Sequence, residues 1–280
     1  MRDSDVDLYT HDRLLAEFGP FAESLNGQLP ATAERDLLGQ GYRKVLGDMA
    51  KIVAHQWREH LERSALKGFL LYGGVGVGKT TMAKRLTYEL CRLFGDHGEM
   101  QRQGDEVVLV LVDGADIARG RYGETEEQLR DLFAYARDGQ QGRHHHDDEA
   151  KRRTVLLFDD VESLFMTRNS SSAKEWHFSQ NSVFFHNVDE LDTGHVALVL
   201  TTNRIDLLDD AIVDRFMPLE FGAPPAEVLL EVAVAKGRQQ GLNDAELKPI
   251  LKHIRAHKPK SIREVERLVL RTYVQKVTKA

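Results

Sequence analysis

The sequence predicts an α/β fold, in which a parallel sheet alternates with helices, followed by a small all-helical unit. Short apolar runs alternate with segments of helical periodicity between residues 41 and 222, which is the pattern of βαβ units. After Pro224-Pro225, three helical segments follow with no strand between them. We therefore expect an irregular lead-in at 1–40, an α/β unit at 41–222 and a helical lid at 223–280.

Composition indicates a globular protein and argues against several classes of function. The chain has 280 residues, of which 41% are hydrophobic and 29% charged, so it can bury a sizeable core. A formal net charge of −6 argues against nucleic acid as the main partner. No apolar run approaches the ~18 residues of a membrane span, and the acidic N-terminus lacks the apolar core of a signal peptide. We therefore expect a cytoplasmic protein without a membrane segment.

Neither cysteine nor histidine predicts a redox or metal site. Cys91 is the only cysteine, so an intrachain disulfide is excluded. It lies beside Leu90 and near Phe94, which favours a buried small hydrophobe over a reactive thiol. Three adjacent histidines occupy 144–146, within the polar segment 139–153. Adjacent residues do not share a helix face, so we expect a solvated loop rather than a metal site.

The order of elements follows from periodicity and helix-start signals. Predicted helices cover 41–63, 82–90, a segment from 125, 226–239, 243–253 and 261–276, and predicted strands cover 69–72, 107–112, 155–158, 196–200 and 217–221. The continuous apolar run 107–112 is typical of a parallel strand covered on both faces. Capping boxes begin at Thr125 and Ser261. The lead-in carries several turn signals and one short predicted helix at 13–18.

A glycine-rich loop joins the strand at 69–72 to the helix at 82–90. It consists of Gly73, Gly74, Val75, Gly76, Val77 and Gly78, and it is followed by Lys79, Thr80 and Thr81. This is the G-x-x-x-x-G-K-[ST] pattern between a strand and a helix. Glycines let backbone N–H groups approach phosphates, and the helix N-terminus adds a positive dipole end. We expect this loop to bind ATP, with Lys79 on the β- and γ-phosphates and Thr80 as a ligand of Mg²⁺.

Two later strands end in polar side chains. The strand at 155–158 runs into Asp159 and Asp160, and the strand at 196–200 is followed by Asn203. Because nucleotides bind at the carboxyl ends of parallel strands, these side chains are expected beside the phosphate loop. We expect Asp159 to hold Mg²⁺ with Thr80. Asp160 is expected to orient or deprotonate the attacking water, with help from Asn203.

Two arginines are further candidates for phosphate contacts. Arg215 lies just before the strand at 217–221, where it could reach the γ-phosphate of a neighbouring subunit. The alternative for Arg215 is a surface salt bridge. Arg263, in the first turn of the last helix, could contact phosphate from the lid, and its alternative is a solvated arginine.

Taken in order, these motifs resemble those of the AAA+ ATPases, over residues 65–275. The resemblance is nearest to the pachytene-checkpoint ATPases, which remodel HORMA-domain proteins. It rests on the stretches 160–164, 211–215 and 222–225, and on Ser261-Ile-Arg263, which is similar to that family's Ser-Gly-Arg lid motif. The resemblance implies a homo-hexameric ring that uses ATP and Mg²⁺ to thread a client protein through its pore, and an Arg263 that senses nucleotide.

The sequence departs from that family at several positions. Asp160 stands where the family has glutamate, and the missing methylene draws the carboxylate back from the water, so we expect slow hydrolysis. Pro218 stands where many relatives carry a second arginine. The substrate-recruiting N-terminal domain of the family is not evident in the first 60 residues.

The segment 118–126 corresponds to the loop that faces the central channel in AAA+ remodellers. Arg121 stands where the aromatic residue of that loop is usual, and Tyr122 follows it. A tyrosine ring can wedge between side chains of an extended peptide without reading its sequence. We expect Tyr122 to grip the client and Arg121 to favour acidic stretches or backbone carbonyls. The alternative is a surface tyrosine that packs on its own loop.

The resemblance therefore implies an ATPase that remodels a client protein, and two other functions stay open. A nucleotide-gated assembly switch with weak hydrolysis would suit Asp160. A DNA-loading or helicase-loading AAA+ protein would need a basic stripe or a helix-turn-helix, and the sequence shows neither. The identity of the client and the number of subunits in the ring do not follow from the sequence.

Overall fold

A computed structural model describes residues 7–9, 32–62, 65–94, 106–113, 124–138, 152–165 and 175–279. Six strands form one sheet: β1 Asp7–Tyr9, β2 Gly68–Gly73, β3 Glu106–Asp113, β4 Arg152–Asp159, β5 Val196–Thr202 and β6 Met217–Phe221. Their order across the sheet is β1-β3-β4-β5-β2-β6. The last five are mutually parallel, whereas β1 pairs antiparallel with the edge of β3. This confirms the predicted α/β fold and its five parallel strands.

Eight α-helices lie in the part of the chain that is described: α1 Thr32–Arg58, α2 Lys79–Phe94, α3 Glu124–Asp138, α4 Glu175–Asp189, α5 Asp210–Arg215, α6 Ala226–Gln239, α7 Asp244–His257 and α8 Ile262–Lys279. None of these helices is both long and apolar enough to cross a membrane.

The sheet has a hydrophobic core on each face, because successive strand residues point in opposite directions. On β4, Leu157 packs into the core shared with α1 and α2, whereas its neighbour Leu156 packs into the core shared with α3, α4 and α5. Both side chains are fully buried. Because both faces of the sheet are buried, the inner strands contain continuous apolar runs and do not alternate between apolar and polar residues.

The N-terminal segment corrects the expectation of an irregular lead-in over 1–40. Residues 7–9 form β1, and α1 begins at Thr32 rather than at residue 41 and ends at Arg58 rather than at residue 63. A strand of three residues carries no periodicity to detect, and its pairing with β3 stabilises it. The short helix expected at 13–18 and the histidines at 144–146 lie outside the described residues.

Two further elements on the α3 face differ from expectation. Helix α4 was not predicted, because its apolar residues, from Trp176 near its start to Val188 near its end, do not form a single stripe along one face. Helix α3 begins at Glu124, so Thr125 is a buried residue of the first turn and not the N-cap. Helix limits commonly differ by one or two residues between criteria, so the helix predicted from residue 125 is confirmed.

The three C-terminal helices pack together around a core of their own. The buried residues of this core are Val228, Leu229, Val232, Ala233, Leu242, Leu247, Ile250, Ile254, Val265 and Val269. Asn243 and Glu246 form a reciprocal capping box at the start of α7. The Ser261 hydroxyl accepts from the Glu264 N–H at 3.3 Å, which is the first half of the predicted box at α8. The exact limits of the lid, 223–280, stay a prediction.

Candidate active site

The glycine-rich loop turns sharply between β2 and α2, and its backbone requires glycine at defined positions. Gly76 has φ +73°, and a Cβ there would lie 2.8 Å from the Cβ of Arg263. Gly73 has φ +144°, and a Cβ there would lie 2.0 Å from the carbonyl oxygen of Phe221. L-residues rarely adopt these conformations. The loop is therefore shaped by close contacts with β6 on one side and with α8 on the other.

Lys79 is nearly buried at the base of the loop. Its Nζ donates to the carbonyl oxygens of Gly73 at 3.0 Å and Gly74 at 2.9 Å, and to Asn203 Oδ1 at 2.8 Å. Only 6% of the surface of Lys79 is exposed to solvent. Burial lowers the pKa of Lys79 below its ordinary value, although the carboxylates of Asp160 and Asp159 oppose this shift. The ammonium group is thus poorly solvated, which favours its pairing with an anion.

Thr80 and Asp159 form an oxygen-rich pair beside Lys79. The Thr80 hydroxyl lies 2.9 Å from each carboxylate oxygen of Asp159. The Thr201 hydroxyl also donates to Asp159 Oδ1, and it accepts from the N–H of Asp160 at 3.1 Å. Hydroxyl and carboxylate oxygens are hard donors of the kind that Mg²⁺ prefers. Thr80 and Asp159 therefore fit the role of holding Mg²⁺, which would neutralise the charge of the phosphates.

Asp160 is exposed and lies in a left-handed backbone conformation, with φ 52° and ψ 53°. Aspartate and asparagine are among the few residues that adopt this conformation routinely. Its Oδ1 accepts from Asn203 Nδ2 at 2.8 Å. Asn203 therefore bridges two groups of opposite charge, because its amide oxygen faces Lys79 and its amide nitrogen faces Asp160.

A cleft of about 260 Å³ lies between the loop and the helical unit, which is close to the lower end of the roughly 300–1,000 Å³ of ligand pockets. The predicted site residues on its wall are Val75, Gly76, Gly78, Lys79, Thr80, Thr81, Asp159, Asp160, Asn203 and Arg263. Val232, Lys236, Ile262 and Glu266 complete the wall. The Ile262 N–H donates to the Gly76 carbonyl at 2.9 Å, so α8 touches the loop directly.

Arg215 lies outside this cleft in the subunit described. Its guanidinium makes two hydrogen bonds to Asp189, from Nε at 3.0 Å and from Nη2 at 3.2 Å. It also lies over the ring of Phe185, 4.6 Å from the centroid. Hydrogen bonds from Arg215 hold the pKa of Asp189 below its ordinary value. This is the surface ion pair that the sequence left open as the alternative, and a role at a neighbour's site stays a prediction.

Some expected residues lie outside the described part of the chain, and some contacts were not expected. Arg121 and Tyr122 lie outside the described residues.

Tyr42 on α1 makes a contact that was not expected. Its hydroxyl donates to the Val77 carbonyl at 3.1 Å, and its ring lies 5.4 Å from that of Phe221. Tyr42 thus braces the loop from behind. The residues around Tyr42 contain no motif that predicts this contact, because Tyr42 and Val77 are 35 residues apart in the sequence.

The loop, the acidic strand end and the parallel sheet define a P-loop nucleotide-binding protein. A family model described as "ATPase family associated with various cellular activities (AAA)" matches residues 69–221, which is more than half of the chain. The chain belongs to this AAA family. The predicted resemblance to AAA+ ATPases is therefore confirmed, and membership supports nucleotide binding and ATPase activity.

Curated relatives share about a quarter to a third of their residues with the chain over the matched region. The "Proteasome-associated ATPase" of Jonesia denitrificans is 31% identical over 182 residues, which cover 63% of this chain and 31% of that protein. The "AAA ATPase forming ring-shaped complexes" of Corynebacterium glutamicum is 28% identical over 180 residues, which cover 64% and 29%. The chain thus spans about three-tenths of the length of these relatives.

Among solved structures, the fold is similar to a chain in the structure of the E. coli MS115-1 HORMA:CdnC:Trip13 complex. The TM-score is 0.57, the sequence identity is 20%, and the match covers 85% of this chain and 90% of that one. At this identity the match shows a common fold.

Proposed function

We propose that the chain hydrolyses ATP in a homo-hexameric ring and uses the energy to remodel a client protein that passes through the pore. HORMA-domain proteins are the candidate class of client. The observation that carries the proposal is the cleft itself, in which the phosphate loop, the acidic strand end and Asn203 converge under a helical unit. That unit contacts the loop through Ile262 and Gly76, so a change at the phosphates can be transmitted to it.

The residues of the cleft have separable roles in this proposal. Lys79 and the loop N–H groups bind the phosphates, and Thr80 with Asp159 holds Mg²⁺. Asp160 is the exposed carboxylate nearest to Asn203 and would orient or deprotonate the attacking water. The proton moves to the Asp160 carboxylate as the water oxygen attacks the γ-phosphorus. The bond between the γ-phosphorus and the β,γ-bridging oxygen breaks, so that ADP and inorganic phosphate are released.

Three observations favour remodelling over the other functions. The relatives include a proteasome-associated ATPase and proteins named for forming ring-shaped complexes. The fold matches a chain from a complex that contains a HORMA protein. The net charge of −6 disfavours a DNA-loading role, and a salt-titrated DNA-binding assay would test that role directly. A nucleotide-gated switch is the second candidate, because the shorter Asp160 carboxylate favours slow turnover.

Substitutions at Asp160 separate these two candidates. We expect Asp160→Asn to bind ATP and stall, since asparagine suits the left-handed backbone but cannot take a proton. Asp160→Glu should hydrolyse ATP at least as fast as the wild type because it restores reach. It should also lose about 1 kcal/mol of stability, because glutamate is poorly suited to φ 52°. Steady-state ATPase rates and thermal unfolding measure both effects.

Two results would contradict the effects expected at Asp160. Full turnover by Asp160→Asn would mean that another group is the base. An Asp160→Glu variant that folds, binds ATP and is slower than the wild type would contradict the idea that carboxylate reach limits the rate, and would favour the switch.

Tyr122 provides the test of threading. We expect Tyr122→Ala to keep ATP binding, assembly and basal hydrolysis but to lose client remodelling, because the ring of tyrosine is the proposed grip on the chain. The measurement is a client-unfolding assay run beside an ATPase assay on the same preparation. Unchanged remodelling by Tyr122→Ala and by the double variant with Arg121→Ala would rule out threading by this loop.

A further inference from the structure

Glu162 is a third carboxylate at the site, beside Asp159 and Asp160. It lies in the 3₁₀ turn Val161–Ser163 that follows Asp160. Its Oε1 accepts from Asn203 twice, from the backbone N–H at 3.3 Å and from Nδ2 at 3.3 Å. Its Oε2 is buried and has no hydrogen-bond partner among the described residues. Glu162 therefore contacts both the backbone N–H and the side-chain amide of Asn203.

The chemistry of these contacts fixes which way the Asn203 amide points. A carboxylate can only accept hydrogen bonds, and an ammonium can only donate them. The amide nitrogen must therefore face Asp160 and Glu162, and the amide oxygen must face Lys79. In the flipped orientation, the amide nitrogen would meet the Lys79 ammonium while its oxygen met two carboxylates. Three charged neighbours thus select one orientation.

Asp160 also orients the amide, through the shorter of the two carboxylate bonds. Its carboxylate is exposed and makes one bond to the amide, at 2.8 Å, whereas Glu162 is partly buried and also holds the Asn203 backbone. Fixing backbone and side chain together leaves the amide little freedom to rotate. Glu162 therefore gives Asn203 a rigidity that Asp160 does not supply.

We propose that Glu162 is a positioning residue for ATP hydrolysis, which acts by holding Asn203 between Lys79 and Asp160. The proposal rests on the proposed ATP hydrolysis but not on client remodelling. Through Asn203, the lysine that binds phosphate and the carboxylate that faces the water keep a defined separation. A displaced amide would remove one hydrogen bond that orients the Asp160 carboxylate, and the rate would fall with little change in ATP affinity.

The test compares Glu162→Ala with Glu162→Gln, which keeps an acceptor oxygen but cannot act as a base. Single-turnover hydrolysis, affinity for a non-hydrolysable ATP analogue and thermal unfolding are measured for each, with the exposed Glu127→Ala as a matched control. We expect Glu162→Ala to be roughly 10- to 100-fold slower, as when a positioning partner is lost. Glu162→Gln should recover to within about threefold of the wild type, because a neutral acceptor makes a weaker bond.

A double variant tests whether Glu162 acts through Asn203. If it does, Glu162→Ala combined with Asn203→Ala should be no slower than Asn203→Ala alone, because the residue that Glu162 positions is already gone. Multiplied losses would overturn the proposal, since they would place Glu162 in an independent role.

Other results would also overturn it. Equal losses in the Gln and Ala variants would make Glu162 a proton acceptor, and a rate for Glu162→Ala equal to that of the Glu127→Ala control would give it no role. A lowered unfolding temperature or ATP affinity that accounts for the loss would make it structural. A wild type no faster than Lys79→Ala would remove hydrolysis and this proposal together. Intact hydrolysis without client remodelling would leave Glu162 in place and contradict only the remodelling function.

Discussion

ATP affinity is expected to fall by more than about 100-fold when Lys79 is replaced by alanine. In the structure the Lys79 ammonium donates to Gly73, Gly74 and Asn203 at the base of the loop. Bound phosphates would take over these hydrogen bonds, each a charge-assisted bond of about 1.5–3 kcal/mol. The loss of two such bonds corresponds to ~100-fold or more in affinity. Titration with a fluorescent ATP analogue measures it.

The fold should survive this substitution, because removal of a buried charge offsets the lost hydrogen bonds. The exposed Lys252→Ala on α7 is the matched control, and it should bind as the wild type does. Wild-type affinity in a folded Lys79→Ala variant would contradict the assignment of the phosphate site.

The same side chain gives the binding a pH dependence of known sign. Burial lowers the pKa of Lys79 in the free protein below its ordinary 10.5. Bound phosphates need the charged form, so ATP affinity should fall as pH rises through that lowered pKa. Between the lowered pKa and 10.5 the unfolded chain binds more protons than the folded one, so the free energy of unfolding of the free protein should rise with pH. Affinity and stability should therefore change in opposite directions.

Replacing Arg215 with alanine is expected to slow hydrolysis by roughly 10³–10⁵-fold, the effect of an arginine finger measured in GTPases. ATP binding should not change, because Arg215 lies outside the cleft of its own subunit. In the ring it would leave Asp189 and reach the γ-phosphate of the neighbour. Asp189→Ala is the matched control, since it breaks the same ion pair and keeps the arginine.

The Arg215 effect should also complement between subunits. A mixture of Arg215→Ala and Lys79→Ala chains contains interfaces at which an intact Lys79 faces an intact Arg215, so some activity should return. If Asp189→Ala is as slow as Arg215→Ala, or if the mixture gains nothing over its parts, Arg215 acts only in its own surface ion pair.

Local patterns were sufficient to predict the five parallel strands and the phosphate loop. The run 107–112 is apolar at every position because both faces of β3 are covered, and Gly76 is required by its own backbone and by the proximity of α8. By contrast, β1 exists through pairing with β3 and α4 through a few aromatic contacts near its end. Both elements are stabilised by residues distant in the chain, so the periodicity of their own sequences does not predict them.

The sequence predicted the site residues that belong to recognisable motifs. It did not predict those that reach the site through contacts between distant parts of the chain. Lys79 follows the glycine-rich loop, Asp159 and Asn203 lie at the ends of strands, and the structure brings all three into one cleft. Tyr42 contacts the loop from 35 residues away, and Glu162 contacts Asn203 from 41 residues away. The sequence does not report that Glu162 contacts Asn203, so its proposed positioning role follows from the orientation of one amide.

The most direct test of ATP-driven remodelling is amide hydrogen exchange of a HORMA-domain protein mixed with this chain and MgATP. The two proteins should first be shown to bind each other under conditions in which the wild type hydrolyses ATP. We predict that the HORMA-domain protein loses protection with the wild type, and keeps it with Lys79→Ala and with Asp160→Asn. Unchanged protection in the presence of a bound, hydrolysing wild type would contradict remodelling of this class of client.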